Sequence, residues 1–394
     1  MSTTPRRLRI AVLNRVFTPI AGGAERYSMA LVEQLAERHE IHVFAQTIEH
    51  RWPGVTYHRV SVPFKRPRWI NQLWYATATW WATRRGFDVV HSHENTWHGQ
   101  VQTQHVLPVK YNLFHGRSGW HLARRWLQVA TSPRLWTYLA LEHYRFAPQP
   151  GRCIVVASSS LREKMAQAFP ASAALLQVLT PGITQVSGLP SDAQRLAARA
   201  LLGLPAGGRG VLFVANDYRK KGLDALLGAL RRLPPDYWLA VVGNAEQMER
   251  YKRRAADEDV ADRVRFLGPL SDVAPAYAAV DCLAHPTLED TFAMVVLEAM
   301  AHGLPVLLSG PDYCGIASAL QDGHNALIMS EPRDPVALTQ ALQRLFQQAG
   351  LRSSLCTHSL AFARQHLWSA LAAQQEAIYF CVAEGSLPSC KPNL

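Results

Sequence analysis

The sequence contains no run of 18 apolar residues. A membrane-crossing helix needs about 20, so none is expected. Cysteine is sparse and unpatterned: the six, at 153, 282, 314, 356, 381 and 390, include no Cys-x-x-Cys pair. This excludes a zinc ribbon and a disulfide-framed mini-domain. Cys153 and Cys282 fall inside apolar runs and read as reduced thiols of a cytoplasmic protein. No G-x-G-x-x-G occurs, which counts against a dinucleotide-dependent dehydrogenase. The polar, basic residues 1–9 are followed only by the short apolar run 10–13, so no secretory signal is expected. Acids are nearly missing from one window: residues 50–141 carry twelve Lys/Arg but only Asp88 and Glu94.

At 394 residues, 48% hydrophobic and 18% charged, the chain is a folded protein too long for one ordinary core, and two domains are expected. The net charge of +11 comes almost wholly from that window, which also holds nine of the eleven tryptophans. Whatever acidic partner the protein meets, it meets with the first half of the chain. Within it, residues 64–85 (FKRPRWINQLWYATATWWATRR) set Trp69, Leu73, Ala76 and Trp80 on one helical face between basic clusters. An interfacial helix on an anionic membrane has this pattern, and so does a helix packed on a sheet. Four tryptophans in one helix favour the membrane. Residues 122–146 repeat the theme with Trp126, Trp136 and Tyr138 among arginines.

Along the chain, apolar runs alternate with helical periodicity. Residues 8–13 and 41–45 read as strands, with a turn-rich loop at 14–23 and a helix at 24–37 between them. The loop ends in Gly22-Gly23, a pair that lets backbone approach a phosphate closely or simply serves a turn. Residues 88–93 (DVVHSH) form a strand ending in polar residues, and in doubly wound sheets ligands sit beyond that edge. His91, His93 and His98 lack a cysteine or second carboxylate cluster to complete a site, so no metal is expected. Residues 101–108 are a further strand ending at His105, either a core histidine or a polar group at the same edge. A strand at 154–157 and a Ser-capped helix at 158–169 follow. The Pro/Gly-rich 180–190 marks a linker.

The αβ pattern then restarts. Strands are expected at 211–215, 239–242, 264–267, 282–284, 306–308 and 326–328, and helices at 223–233, 335–348 and 352–381, before a loose last dozen residues. The predicted division is an N-terminal domain over 1–183, a second over 184–365, and a C-terminal helix and tail over 366–394 that crosses back. The loop 216–221 supplies Arg219, Lys220 and Lys221, cations able to neutralise a diphosphate. Asp257-Glu258-Asp259 mimics a metal-holding D-x-D but lies at a hydrophilic helix end and reads as a solvated face.

The most informative stretch is 288–306, LEDTFAMVVLEAMAHGLPV. Residues 293–301 are apolar but for Glu298, and Gly303 and Pro305 stop what reads as a short buried helix. A carboxylate there costs several kcal/mol, roughly, unless donors meet it. Asp290, beside Glu289, sits in the turn feeding the helix N-terminus, a place suited to anions and hydroxyls together. The alternative is a Glu298 paired with a core Arg or Lys.

Taken together, these motifs resemble those of the family 4 retaining glycosyltransferases, an α/β fold of two Rossmann-like doubly wound domains facing across a cleft (GT-B type). Gly22-Gly23-Ala24-Glu25-Arg26 resembles the family's glycine loop, Lys221-Gly222-Leu223-Asp224 its diphosphate-binding Lys-Gly motif, and residues 264–268 (VRFLG) the strand whose end cradles the base. Asp290 to Glu298 matches the acid-x7-acid signature running into Glu-Ala-Met-Ala-x-Gly-x-Pro-Val. Two departures stand out: the first acid is Asp rather than Glu, and Asn216 occupies the place of a diphosphate-binding arginine, for which Arg219 is a substitute. Residues 216–222 and 313–317 look most like lipopolysaccharide core glucosyltransferases.

The resemblance implies transfer of a hexose, with retention, from a nucleotide sugar, expected to be UDP-linked, to an anionic envelope glycan at the inner membrane face. Asp290, Lys221 and His105 are the implied catalytic residues, His105 beside the reacting carbon. Donor contacts are implied for Gly22, Gly23, Asn216, Arg219, Lys221, Leu267, Thr291, Phe292, Ala293 and Glu298, Glu298 on the ribose. Neither metal nor other cofactor is expected. A sugar-nucleotide epimerase shares this fold, a catalytically dead membrane adaptor keeps the surface without the chemistry, and a basic nucleic-acid binder explains the charge but leaves Asp290 and Glu298 idle.

Overall fold

The computed structural model describes residues 6–18, 22–348 and 350–386. The chain forms two compact units, Met1–Pro181 with Trp368–Leu394, and Gly182–Leu367. Residues 19–21 of the expected loop, and 387–394 of the expected loose tail with Cys390, lie outside the described residues.

In the first unit, strands β1 (Arg9–Leu13), β2 (Glu40–Ala45), β3 (Val55–Arg59), β4 (Val89–Ser92), β5 (Val101–Gln104), β6 (Cys153–Val156) and β7 (Leu176–Val178) make one parallel sheet. Its order is β3-β2-β1-β4-β5-β6-β7. Strands such as CIVV are buried throughout, as a sheet covered on both faces by helices requires. Those helices are α1 (Gly23–Leu35), α2 (Arg68–Thr83), α3 (Val109–Phe114), α4 (Gly119–Ala130), α5 (Pro133–Arg145) and α6 (Ser159–Ala168). As expected, the Ser158 side chain caps α6, accepting from the Leu161 N–H.

The second unit repeats the plan. After α7 (Asp192–Leu201), strands β8 (Arg209–Ala215), β9 (Tyr237–Gly243), β10 (Val264–Gly268), β11 (Cys282–His285), β12 (Val306–Ser309) and β13 (Leu327–Met329) pair in the order β10-β9-β8-β11-β12-β13. Helices α8 (Leu223–Arg232), α9 (Ala245–Asp257), α10 (Ala274–Ala279), α11 (Met294–Ala301), α12 (Pro335–Gln347) and α13 (Leu351–Arg364) cover it. In both sheets the strand order reverses at the first strand, between β1 and β4 and between β8 and β11. Beyond the carboxyl ends of strands at such a reversal, two loops diverge and leave room for a ligand.

The structure corrects several expectations. The single helix over 352–381 is two, α13 and α14 (Trp368–Ala383). The break comes where Ile183 bridges Leu367 and its N–H donates to the His366 carbonyl at 2.9 Å. α14 then joins the first unit's core through Leu371, Tyr379 and Val382. The strand expected over 101–108 ends at Gln104, whose side chain bonds the Val106 carbonyl at 2.6 Å. The short strands β3 and β7 and the helix α7, with its full Ser191–Gln194 capping box, were not expected. The aromatic stripe on α2 is split. Ala76 faces the sheet with Gln72, Tyr75, Thr79 and Thr83, while Trp74, Trp80 and Trp81 are exposed. Thr79 and Thr83 can be buried because each hydroxyl donates at 2.7 Å to the carbonyl one turn back.

Candidate active site

At the reversal in the second unit, the loop after β8 meets the turn after β11. Gly222 permits the meeting. Its φ is +85°, and a Cβ there would lie 1.9 Å from the Pro286 carbonyl oxygen, so the backbones touch where no other residue fits. Leu288 N–H donates to the Lys220 carbonyl at 2.8 Å and fastens the loop to the turn. The neighbouring Lys221 ammonium is thereby set 2.6 Å from Asp290 Oδ2 and 2.8 Å from the Glu289 carbonyl oxygen.

Asp290 is held from several directions. Its N–H donates to the Tyr313 carbonyl at 2.7 Å and its carbonyl accepts from Gly315 N–H at 2.9 Å. Oδ1 accepts from the N–H groups of Phe292 at 3.3 Å and Ala293 at 2.9 Å. Oδ2 takes Lys221 and also His285 Nε2 at 3.2 Å. Burial by itself would raise the Asp290 carboxyl; the His285 hydrogen bond and the Lys221 charge override it and hold the group well below the usual carboxylate range. The Oδ1 contacts also sustain a strained backbone, since Ala293 has φ +77°, a left-handed conformation costing a non-glycine residue about 1–3 kcal/mol.

α11 begins at Met294, past that residue, and is less enclosed than its sequence implies. Val296, Leu297, Ala299 and Met300 are buried, but Met294, Val295 and Glu298 are half-buried. Glu298 is therefore not sunk in an apolar core, a correction to the sequence reading, because one edge of the helix is open. Its Oε2 accepts from the hydroxyl of Tyr277, on α10, at 2.8 Å.

The other expected donor residues divide into near and far. Arg219 and Asn216 are exposed on the loop that carries Lys221, and the Asn216 carbonyl accepts from Asn244 Nδ2 at 3.1 Å. Thr291 and Phe292 lie in the Asp290 turn, Thr291 half-buried and Phe292 buried. Leu267 is not in this group. It is next to last in the edge strand β10, three strand spacings or roughly 14 Å from β11, and lines a hollow of about 450 Å³ with Leu202, Lys252 and Phe266.

In the first unit, His105 sits past the end of β5 with Nε2 3.0 Å from His93 Nδ1. Tyr27 of α1 presents its ring to His105 at 5.1 Å and to Trp368 at 5.2 Å. Burial and the Arg145 guanidinium lower His105 to about 3, so it is neutral. His91 faces inward, bridging Tyr379 and Thr103 hydroxyls at 2.6 Å each. Gly22 and Gly23 are exposed at the start of α1, and no side chain caps Gly22. Gly22 has an ordinary φ of −71°, so turn geometry does not demand glycine there. Among the described residues, no group of three or more His, Cys, Asp or Glu is arranged to hold a metal ion.

Two family models cover most of the chain. Residues 21–185 match the one described as Glycosyltransferase Family 4, and residues 208–348 match Glycosyl transferases group 1. The D-inositol 3-phosphate glycosyltransferase of Frankia alni is 30% identical over 404 residues, covering 89% of this chain and 92% of the relative. The chain belongs to the family 4 glycosyltransferases.

The solved structure of WaaG, a glycosyltransferase involved in lipopolysaccharide biosynthesis, aligns with this enzyme at a TM-score of 0.79 and 22% identity. The alignment covers 94% of this chain and 99% of that one. Anabaena HepE in complex with UDP and glucose aligns at 0.72 and 19% identity, over 94% of this chain and 98% of that one. Both likenesses establish the two-Rossmann fold for this glycosyltransferase.

Its sequence hid three features of the sites. His285 is separated from Asp290 by only four residues but looks like the last residue of a buried strand. Tyr277 reaches Glu298 from another helix, and Arg145 carries no motif. In the basic first half the most exposed aromatic, Trp120, lies on α4 rather than α2. α4 buries only Val129, while Trp120, Trp126 and Leu127 stand 77%, 56% and 66% exposed. Arg117, His121, Arg124 and Arg125 line a hollow of about 700 Å³ beside it. Among the described residues, no helix is long and apolar enough to cross a membrane.

Proposed function

We propose that this glycosyltransferase moves a hexose from a UDP-sugar, with retention, to an anionic acceptor at the inner face of the cytoplasmic membrane. The observation that carries the reading is the Lys221–Asp290 pair, 2.6 Å apart, at the strand-order reversal of the second unit. Lys221 and Arg219 supply positive charge for the donor diphosphate, and the uncapped start of α11 adds the partial charge of a helix N-terminus. Asp290 offers its carboxylate to the sugar from the turn that Thr291, Phe292 and Ala293 complete. Glu298, half open beside Tyr277, takes the ribose hydroxyls, and Asn216 lies by the diphosphate. In the first unit, Gly22 and Gly23 expose backbone at the start of α1 and His105 is neutral; donor contact by these residues is part of the proposal. Leu267 remains a candidate base contact only at the strand end.

The reaction needs no protein nucleophile. The C1–O bond to the β-phosphate breaks while the acceptor hydroxyl attacks the same face. Its proton passes to the departing phosphate oxygen, leaving a glycoside and UDP. Fixed cations stabilise the charge gathering on that phosphate. No metal has a part in the scheme, and turnover in EDTA equal to that in magnesium is expected.

For the acceptor, the basic and aromatic faces of α4, with the outward tryptophans of α2, support contact with an anionic membrane and a phosphorylated glycolipid. A second reading takes a small phosphorylated polyol. It is favoured by the 30% identity, across nearly the whole chain, to an enzyme named for D-inositol 3-phosphate. Incubation with UDP-glucose and either D-inositol 3-phosphate or a lipid-linked core oligosaccharide, with mass-spectrometric detection of the glycoside, separates them. Product from neither acceptor, with any UDP-sugar, contradicts both.

A further inference from the structure

Between the two motifs that resemble the family's lies a residue that neither includes. His285 ends β11, is 1% exposed, and points Nε2 at Asp290 Oδ2 from 3.2 Å. Its other nitrogen, Nδ1, is buried with no partner among the described residues. We propose that His285 is a positioning residue, whose Nε2–H keeps the Asp290 carboxylate in place when Lys221 turns to the donor diphosphate. The proposal rests on the reading that this turn holds the donor.

The geometry makes the need plain. Lys221 serves Asp290 Oδ2 and the Glu289 carbonyl together, and a diphosphate competes for the same ammonium. Asp290 Oδ1 stays on the Phe292 and Ala293 N–H groups, but Oδ2 loses its stronger partner. Only His285 then meets that oxygen among the partners described above. An unmet carboxylate in so closed a place takes up a proton or swings away. Because Oδ2 can only accept, the hydrogen lies on Nε2, and a second hydrogen on the partnerless Nδ1 would be buried and unmet.

The surrounding charges agree with a neutral imidazole. From the loop after β8 come Lys221 and Lys220, the latter 3.5 Å from Glu289. From the turn after β12 comes Cys314, whose thiol is pushed up by burial and by Asp290. Burial and Lys221 lower His285, against the pull of Asp290. No second carboxylate reaches the ring to hold it charged among the described residues.

The test uses the full-length enzyme with UDP-glucose as donor probe and two variants. His285→Phe keeps the bulk and removes the donor; His285→Gln keeps a side-chain N–H. For UDP release, His285→Phe is expected to lower kcat at least tenfold with the Kd for UDP, by calorimetry, within twofold. Its activity should also fail at a higher pH on the acid side than that of wild type, since Asp290 loses a group that favours its charged form. His285→Gln should restore both the rate and the acid limb. Equal rates and limbs for the Phe and Gln variants overturn the proposal. So does an Nδ1–H tautomer of His285 in imidazole ¹⁵N spectra of the donor-free enzyme. Should wild type neither bind nor turn over UDP-glucose, the donor reading fails, and the tautomer, with its response to Asp290→Asn, still decides whether His285 holds Asp290.

Discussion

Lys221 Nζ and Asp290 Oδ2 lie 2.6 Å apart although they are 69 positions apart in the chain. One follows β8 and the other β11, the strands on either side of the order reversal. The pair is partly buried, with 21% and 18% of the two side chains exposed, so its attraction is screened less than that of a surface ion pair. On the proposed reading, the cation meant for the diphosphate is stored on the acid meant for the sugar.

Gly222 controls whether that storage is possible. Any side chain there meets the Pro286 carbonyl and a left-handed φ together. Gly222→Ala is expected to lower the melting temperature by several degrees, an effect of about 1–3 kcal/mol. It should also abolish UDP binding by moving Lys221. Differential scanning calorimetry and titration with UDP check both; a variant that melts and binds like wild type contradicts the arrangement.

A second buried acid does structural work. Asp281 is 7% exposed and receives Arg195 at 3.2 Å, Arg199 at 3.1 Å, Arg352 at 2.7 Å and the Gly210 N–H at 2.8 Å. It thus ties α7 and α13 to β8. Asp281→Ala leaves these arginines unmatched, and a loss of roughly 3–5 kcal/mol in urea unfolding is expected. A loss below about 1 kcal/mol contradicts the assignment.

The buried histidines set the acid sensitivity of the fold. Burial lowers His91 to about 3, below the 6.5 of an unfolded chain, so between those values the unfolded state binds the extra proton. Stability is fully present above pH 6.5 and declines as pH falls toward 3, by up to about 1.4 kcal/mol per pH unit for this one residue. Melting temperatures should hold between pH 7.5 and about 6.5 and drop steadily from there to pH 5, and His91→Gln should flatten that slope; an unchanged slope in the variant contradicts this.

Much of this could be read in the sequence. Hydrophobic runs and turn formers locate most strands of both sheets, and the Lys-Gly and acid-x7-acid motifs locate the loop and turn that meet. The Lys221–Asp290 contact could not be read, because it depends on strand order rather than on spacing. The sequence presents Glu298 as buried because periodicity reports a helix's composition, whereas its exposure depends on which neighbours cover each edge. On α2, the sequence sets Trp69, Leu73, Ala76 and Trp80 on one face, but threonines, satisfied by their own backbone, take the buried side with Ala76. The break between α13 and α14 has no glycine or proline to announce it; it falls where His366 and Leu367 meet Ile183, far away in sequence.

Membrane contact predicts a charge dependence. Arg124→Glu with Arg125→Glu should reduce pelleting with vesicles rich in anionic lipid by at least tenfold, at about 1 kcal/mol per arginine removed and more for reversal. Trp120→Ala with Trp126→Ala should reduce it further, and 0.5 M salt should mimic the arginine changes. Equal pelleting with neutral vesicles, or none with either kind, contradicts an electrostatic membrane site.

The reading of the second unit as the donor domain is tested most directly by titrating the enzyme calorimetrically with UDP-glucose, beside Lys221→Ala and Glu298→Ala. Saturable binding by wild type, weakened tenfold or more by each change, is the expected result. Binding that both variants retain in full, or a wild-type enzyme that gives no heat with UDP-glucose or any other nucleotide sugar, contradicts it.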